Sequence, residues 1–159
     1  MNILTYFEVP DCVGVSDSGD GTYRIDLADG STRQATTEEV LGAKRAAVIE
    51  QINAERNRRE QTAFPYMGSP IDSDPVSVQR ITVAQATAQM ALAAGVPYSV
   101  DWACADNSIL TLDAMGVLGM MQALGSYGLS LHMYSRSLKA AVLASADPES
   151  IDILTGWPE

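Results

Sequence analysis

The chain has little of the residue chemistry on which metal centres and disulfide frameworks depend. It contains two cysteines and one histidine among 159 residues. Cys12 and Cys104 lie far apart and lack C-x-x-C spacing, so we read both as reduced thiols. One histidine cannot build a zinc site of the usual two- or three-imidazole kind within one chain. We therefore expect no metal and no cofactor, and we read His132 as a core or interface residue rather than as a catalytic base for Cys104.

Basic residues are scarce as well. Ten lysines and arginines stand against 20 acidic residues, which gives a formal net charge of −10 and a sequence pI near 4.4. A nucleic-acid binder needs a basic patch to neutralise phosphates, and an anionic bilayer would repel this chain. The composition therefore predicts no nucleic-acid partner and no role at a membrane surface.

One long uncharged run, residues 114–131, approaches the length that spans a bilayer. It carries Gln122, Ser126, Ser130 and four glycines, and neither end has an adjacent basic flank. This pattern favours a buried helix over a membrane span. Because the first residues have no basic segment and include Glu8, we also expect no signal peptide and a site of synthesis in the cytoplasm.

Enough apolar residues remain, 47%, for a chain of this length to bury a core without covalent staples.

The patterns predict an α+β fold in three parts. Residues 1–41 form an acidic, β-rich docking module with a net charge of −6. Alternation at Tyr23, Ile25 and Leu27 predicts a hairpin, with Asp29-Gly30 as a type I′ turn. The loop at residues 15–23 lacks the ligand spacing of a calcium loop and is read as a solvated turn.

Residues 42–62 are predicted to be a connector helix, and they carry a net charge of +2. The helical pattern itself already starts near Glu38. Thr36 or Thr37 can cap its first turn. Its apolar stripe ends after Ile52, so its last two turns are almost wholly polar. A solvated connector is favoured over a short oligomeric stalk, because Glu55 ends the heptad seam.

Residues 63–159 are predicted as a hairpin, a helix, a second hairpin and a long helix, with a net charge of −6. Gly68-Ser69-Pro70 is expected to be the first turn. Asp74 and Pro75 are typical of a helix start and Gly95 of a helix end. The second turn is expected near Asp106-Asn107.

The long helix is predicted over about 112–144, capped by Thr111. Its four glycines each cost up to about 1 kcal/mol relative to alanine, so we expect another backbone to approach closely there. An apolar tail follows, which should dock on its own domain or on a partner. The interface candidates are Met121, Leu124, Gly125, Gly128, Leu131, Leu138, Ile153, Leu154 and Trp157.

Three residues are predicted to anchor the core of the C-terminal domain: Tyr66, Ile81 and Trp102. For Trp102 the alternative is an exposed platform that stacks on carbohydrate, but its alternation with Tyr98 and Val100 favours the core. No constellation of residues indicates catalysis, and we expect no enzyme activity. The remote alternative is a glycan hydrolase that uses Asp101 and Asp106 as its acid and base.

Several short motifs agree in spacing with one another over about residues 42–143. They comprise Tyr66 and Gly68; Ser73, Asp74, Ser77, Arg80 and Ile81; Trp102, Asp106 and Asn107; Thr111 to Asp113; and His132. In these motifs the chain resembles an uncharacterised domain family found in tail proteins of tailed bacteriophages. Residues 1–41 fall outside the resemblance.

The resemblance implies a virion tail protein, associated with the fibre or baseplate and not enzymatic. On this basis we expect a structural or attachment part that works with other tail proteins as a homo-oligomer, with a trimer favoured. The alternative is a tail-fibre assembly chaperone that is absent from the mature virion.

Overall fold

A computed structural model describes residues 2–159 and has the α+β architecture that the sequence predicts. The strands and helices are, in chain order, β1 (Cys12–Asp17), β2 (Tyr23–Leu27), β3 (Thr32–Gln34), α1 (Thr37–Glu60), β4 (Ala63–Tyr66), β5 (Ser69–Asp72), α2 (Pro75–Ala94), β6 (Ser99–Ala103), β7 (Ile109–Asp113) and α3 (Ala114–Ala144). The predicted order of hairpin, helix, hairpin and long helix after α1 is confirmed.

The chain forms two compact units, each built from two segments. Unit 1 comprises the chain up to Ala54 together with Arg136–Thr155, and unit 2 comprises Glu55–Ser135 together with Gly156–Glu159. Two of the three boundaries, at 54/55 and 135/136, fall inside helices, so α1 and α3 each contribute residues to both units. These units do not coincide with the predicted division at residues 41/42 and 62/63.

Unit 1 contains a three-stranded antiparallel sheet in the order β1-β2-β3. The predicted type I′ turn between β2 and β3 is wrong, because that turn needs positive φ at both central residues. Here Gly30 has a φ of 84°, whereas Asp29 is not among the residues with positive φ. Gly30 N donates to Leu27 O, and Asp29 accepts from Ser31, so the connection is a three-residue loop with its left-handed residue at the glycine.

Helix α1 begins with a reciprocal capping box. Glu39 N donates to Thr36 Oγ1 at 3.2 Å, and Thr36 N donates to Glu39 Oε2 at 2.8 Å, so Thr36 is the cap. In unit 1 the apolar stripe of this helix packs Ala43 and Ala47 against Ile3. The later segment of unit 1 contacts α1 through an ion pair of 2.5 Å between Lys44 and Glu149.

Unit 2 contains two separate antiparallel hairpins, β4-β5 and β6-β7. The first turn lies at Met67 and Gly68, whose φ values are 49° and 81°, and not at Gly68-Ser69-Pro70. Positive φ at two successive residues defines the two-residue type I′ connection, which leaves Ser69 and Pro70 free to join β5. The second turn lies near Asp106-Asn107 as predicted, with Asn107 in the left-handed region at a φ of 64°.

Helix α2 begins and ends where the sequence predicts. Asp74 accepts from the backbone N–H groups of Val76 and Ser77, Pro75 occupies the first turn, and Gly95 ends the helix in the left-handed conformation. The side chains that α2 buries are Ser77, Ile81, Ala88 and Ala91. Ile81 and Ala88 are fully buried, whereas Leu92 is 45% exposed.

Helix α3 begins two residues later than expected, and its predicted cap is wrong. Thr111 lies in β7, where its hydroxyl donates to Asp101 across the hairpin at 2.6 Å. Asp113 takes the capping role and accepts from Gly116 N at 2.7 Å. The core of unit 2 forms where this helix meets the two hairpins and α2, around Phe64, Ile71, Ile81, Leu112, Val117 and Met120. No helix within residues 2–159 has the length and apolarity needed to cross a membrane.

Candidate interaction surfaces

The predicted contact seam of α3 is largely internal to the chain. Leu131 and Leu138 are buried, and Met121 and Leu124 are half-buried, with the latter two packed on the core of unit 2. Buried side chains cannot contact a partner in this conformation. Leu131 and Leu138 are therefore core residues, which corrects the prediction that these two form an interface between copies, whereas at the half-buried Met121 and Leu124 the interface stays a prediction.

The glycines of α3 divide into two kinds. A Cβ on Gly119 would lie 2.6 Å from Tyr66 Oη, whereas Cβ atoms on Gly125 and Gly128 would meet nothing within 4 Å. The close approach that we expected therefore exists at Gly119, where a tyrosine side chain and not a backbone makes it. Among residues 2–159, nothing comes as close to Gly125 or Gly128.

Tyr66 is a core anchor, as predicted, and its polar end is also engaged. Its ring packs half-buried on the core of unit 2, and its hydroxyl donates to Gly116 O at 2.6 Å. Burial raises the pKa of Tyr66, and the nearby charge of Asp113 acts in the same direction. Ile81 is fully buried in the same core, so that prediction is confirmed too.

The C-terminal residues dock on their own unit through Trp157. This indole is buried, stands edge-on to Tyr134 with 5.0 Å between ring centroids, and lies under Arg59 with 5.3 Å from Cζ to the centroid. The predicted docking of Trp157 is confirmed, with its own domain as the partner. In unit 1, Ile153 is half-buried and Leu154 is 63% exposed.

Ion pairs cluster at the end of α1 that lies in unit 2. Glu55 accepts from Arg58 Nη2 at 2.7 Å and from Arg59 Nε at 2.6 Å, and these hydrogen bonds lower the pKa of Glu55 to about 2.

His132 Nε2 lies 2.9 Å from Glu60 Oε1 and its side chain is 55% exposed, so His132 is not a core residue. Cys104 Sγ donates to Trp102 O at 3.8 Å, whereas the polar contact of His132 is with Glu60.

A cleft of about 340 Å³ opens beside Trp102. Its lining residues are Asp72, Ser77, Arg80, Val100, Asp101, Trp102 and Ala103. Trp102 is half-buried and packs on the core of unit 2, so it is a core residue with one edge at this cleft. The cleft combines an aromatic wall with two carboxylates and one guanidinium, a combination suited to a small polar molecule.

The two acids of the hydrolase alternative do not have the environments of a catalytic pair. Asp106 accepts from Ser108 N and Ser108 Oγ within the hairpin turn, and these bonds lower its pKa. A general acid in glycoside hydrolysis needs a raised pKa. Asp106 is also absent from the residues that line the cleft, whereas Asp101 is among them. Asp106 therefore acts as a turn residue.

One exposed, partly apolar surface of unit 2 was not predicted from the sequence. We call it the outer face of α2; it consists of Val76, Gln79, Val83, Ala86, Met90 and Ala93, all exposed. Val76, Val83 and Met90 are 55%, 61% and 65% exposed and lie seven residues apart. The signal in the sequence was this seven-residue period, which coexists with the buried stripe of the same helix.

The fold and these surfaces define a two-unit α+β protein whose second unit presents an apolar helix face and a mixed polar cleft. The chain belongs to the family described as a domain of unknown function, DUF4376, whose model matches residues 43–155. No curated protein and no solved structure matches the chain. Within residues 2–159 there is also no group of three or more histidine, cysteine, aspartate or glutamate side chains arranged to hold a metal ion.

Proposed function

We propose that this protein is a structural component of a bacteriophage tail, associated with the fibre or baseplate, which acts as an assembly or attachment part in a homo-oligomer. The tail assignment rests on the spacing of the motifs between Tyr66 and His132. The role as an assembled part rests on the outer face of α2, whose exposed apolar side chains are typical of a surface that another protein covers.

Charge also supports an assembly role. Helix α2 contains no acidic residue and one basic residue, Arg80, in a chain whose net charge is −10. Like-charge repulsion between acidic proteins is therefore weakest where this helix lies at the surface. A surface that combines low charge with exposed valine and methionine favours contact with another protein over contact with solvent.

The test is mass spectrometry of purified virions from the phage that encodes the chain, with the infected-cell lysate as the reference. We expect the protein in the virion at a fixed ratio to a fibre or baseplate protein. A protein found only in the lysate, in complex with unassembled fibre, would instead support the assembly-chaperone alternative. A protein found in neither complex nor particle would overturn both.

A further inference from the structure

The cleft beside Trp102 gathers charged side chains from three elements of unit 2. Asp72 is the last residue of β5, Arg80 lies in α2, and Asp101 lies in β6. These three side chains line one cavity of about 340 Å³. The proposed function gives this cavity no role.

The charged groups of the cleft have hydrogen-bonding capacity that the fold does not use. Among residues 2–159, the side chains of Asp72 and Arg80 make no hydrogen bond and no ion pair. Asp101 accepts a hydrogen bond from Thr111 Oγ1 at 2.6 Å, which holds its carboxylate in place and leaves further lone pairs. Because a carboxylate only accepts hydrogen bonds and a guanidinium only donates them, the cleft offers both acceptors and donors to a ligand.

The apolar wall of the cleft is held in place by the core. Val100 and Trp102 are half-buried, and both pack against the core of unit 2. Ser77 is buried, and its hydroxyl donates to Asp74 Oδ2 at 2.5 Å. A ligand would therefore meet a surface that is already formed, so little ordering of the protein would oppose binding.

The charges of the cleft favour a ligand without net charge. Two carboxylates and one guanidinium give the lining a formal charge of −1, in a chain whose net charge is −10. The excess of acid would repel an anion, and a cation would meet the charge of Arg80. A hydroxyl group is uncharged and both donates and accepts, so it can pair with a carboxylate or with a guanidinium.

We propose that this cleft binds a neutral saccharide unit. Ring hydroxyls would donate to Asp72 and Asp101 and accept from Arg80, while the C–H side of the sugar ring lies against Trp102. The cavity is near the lower end of the volumes that hold small ligands, which suits one sugar ring. The inference goes beyond the proposed function and does not depend on it.

The size of the ligand sets the expected strength of binding. A single sugar ring has few atoms, and the binding free energy that each atom can supply is limited. We therefore expect a Kd of about 1 to 10 mM. Such weak binding is measurable by NMR titration, in which signals of individual residues report where the ligand lies.

The experiment titrates the isotope-labelled full chain with glucose, galactose, mannose or N-acetylglucosamine, each up to about 100 mM. We expect at least one of these sugars to shift the indole N–H signal of Trp102 and the amide signals of Val100 and Arg80. Glycerol is the control for hydroxyl groups without a ring. L-Serine is the control for a zwitterion, whose ammonium and carboxylate would pair with Asp72 and Arg80. We expect neither control to shift these signals.

Two variants each remove one polar group of the cleft, Asp72→Ala and Arg80→Ala. Neither side chain has a hydrogen bond or an ion pair in the part of the chain that the structure describes, so both variants should fold, which circular dichroism checks. Each should raise the Kd at least about fivefold, because a hydrogen bond to a charged group is lost. Arg136→Ala is the matched control: Arg136 is also an exposed arginine in a long helix, but it does not line the cleft. It should bind as wild type does.

Four results would overturn the inference. They are the absence of shifts with every sugar, equal or tighter binding of glycerol or L-serine, an unchanged Kd in both cleft variants, and a loss in Arg136→Ala as large as that in Arg80→Ala. None of these results depends on whether the protein occurs in virions. Failure of the saccharide site and failure of the tail assignment are therefore distinguishable.

Discussion

Substituting alanine for Gly119 should destabilise this protein, although glycine to alanine within a helix normally does the opposite. The added Cβ would lie 2.6 Å from Tyr66 Oη, which is far inside ordinary contact distance, and 3.5 Å from Tyr66 Cζ. Tyr66 must therefore move, and its hydroxyl now donates to Gly116 O at 2.6 Å. The substitution thus disturbs both a hydrogen bond and the packing of a half-buried ring.

The magnitude follows from two opposing contributions. Alanine has a helix propensity about 0.8 to 1 kcal/mol better than that of glycine. Against this, the lost hydrogen bond costs about 1 kcal/mol, and forcing a ring out of a packed position costs about 1 to 3 kcal/mol. We expect Gly119→Ala to lower the free energy of unfolding by about 1 to 3 kcal/mol.

Gly125→Ala is the matched control, because it lies in the same helix and its Cβ would meet nothing within 4 Å. It should raise the free energy of unfolding by about 0.5 to 1 kcal/mol. In the Tyr66→Phe background the hydroxyl is gone and the nearest ring carbon allows ordinary contact. Gly119→Ala should then be neutral or stabilising, with a coupling energy of about 2 kcal/mol between the two sites.

The assay is urea denaturation followed by circular dichroism, applied to wild type, the three single variants and the Gly119→Ala/Tyr66→Phe double variant. Equal stabilisation by Gly119→Ala and Gly125→Ala would refute the reasoning. A Gly119→Ala loss that persists unchanged in the Tyr66→Phe background would also refute it, since the loss would then have a cause other than the tyrosine hydroxyl.

Three further predictions concern stability. The pKa of Glu55 is about 2, which is below that of an unfolded glutamate, so its full contribution to the free energy of unfolding is present above about pH 5 and is lost as the pH falls towards 2. In Glu55→Gln the free energy of unfolding should therefore vary with pH by about 1 to 2 kcal/mol less, after allowance for solvent screening, and acid titration of unfolding measures this difference. Trp157→Ala should cost about 2 to 4 kcal/mol in thermal unfolding, because Trp157 is buried against Tyr134 and Arg59; an unchanged melting temperature would contradict the docked terminus. Thr36→Ala should cost about 1 kcal/mol, because Thr36 Oγ1 caps Glu39 N; Thr37→Ala is its control, and equal losses in the two variants would count against Thr36 as the cap.

Local signals explain why the helix boundaries were predictable. Asp74, Pro75 and Gly95 act within one helical turn, so their conformational preferences appear directly in the sequence. The hairpin turns were less predictable. Gly68 could have begun a turn with Ser69 or ended one with Met67, and the pairing of β4 with β5 selected the second arrangement. The cap of α3 failed for a similar reason, since the pairing of β6 with β7 directs the Thr111 hydroxyl to Asp101.

By itself the sequence determined the α+β class, the order of the elements, the limits of α2 and the core positions of Ile81 and Tyr66. All of these depend on periodicity or on capping chemistry within a few residues. Only the tertiary structure decided that Ser77 and Ala91 share the buried side of α2 with Ile81 and that Leu92 does not, because periodicity does not set the width of a buried face. Likewise only the fold placed Tyr66 over Gly119, since residues so distant in the chain meet through packing that no local pattern encodes.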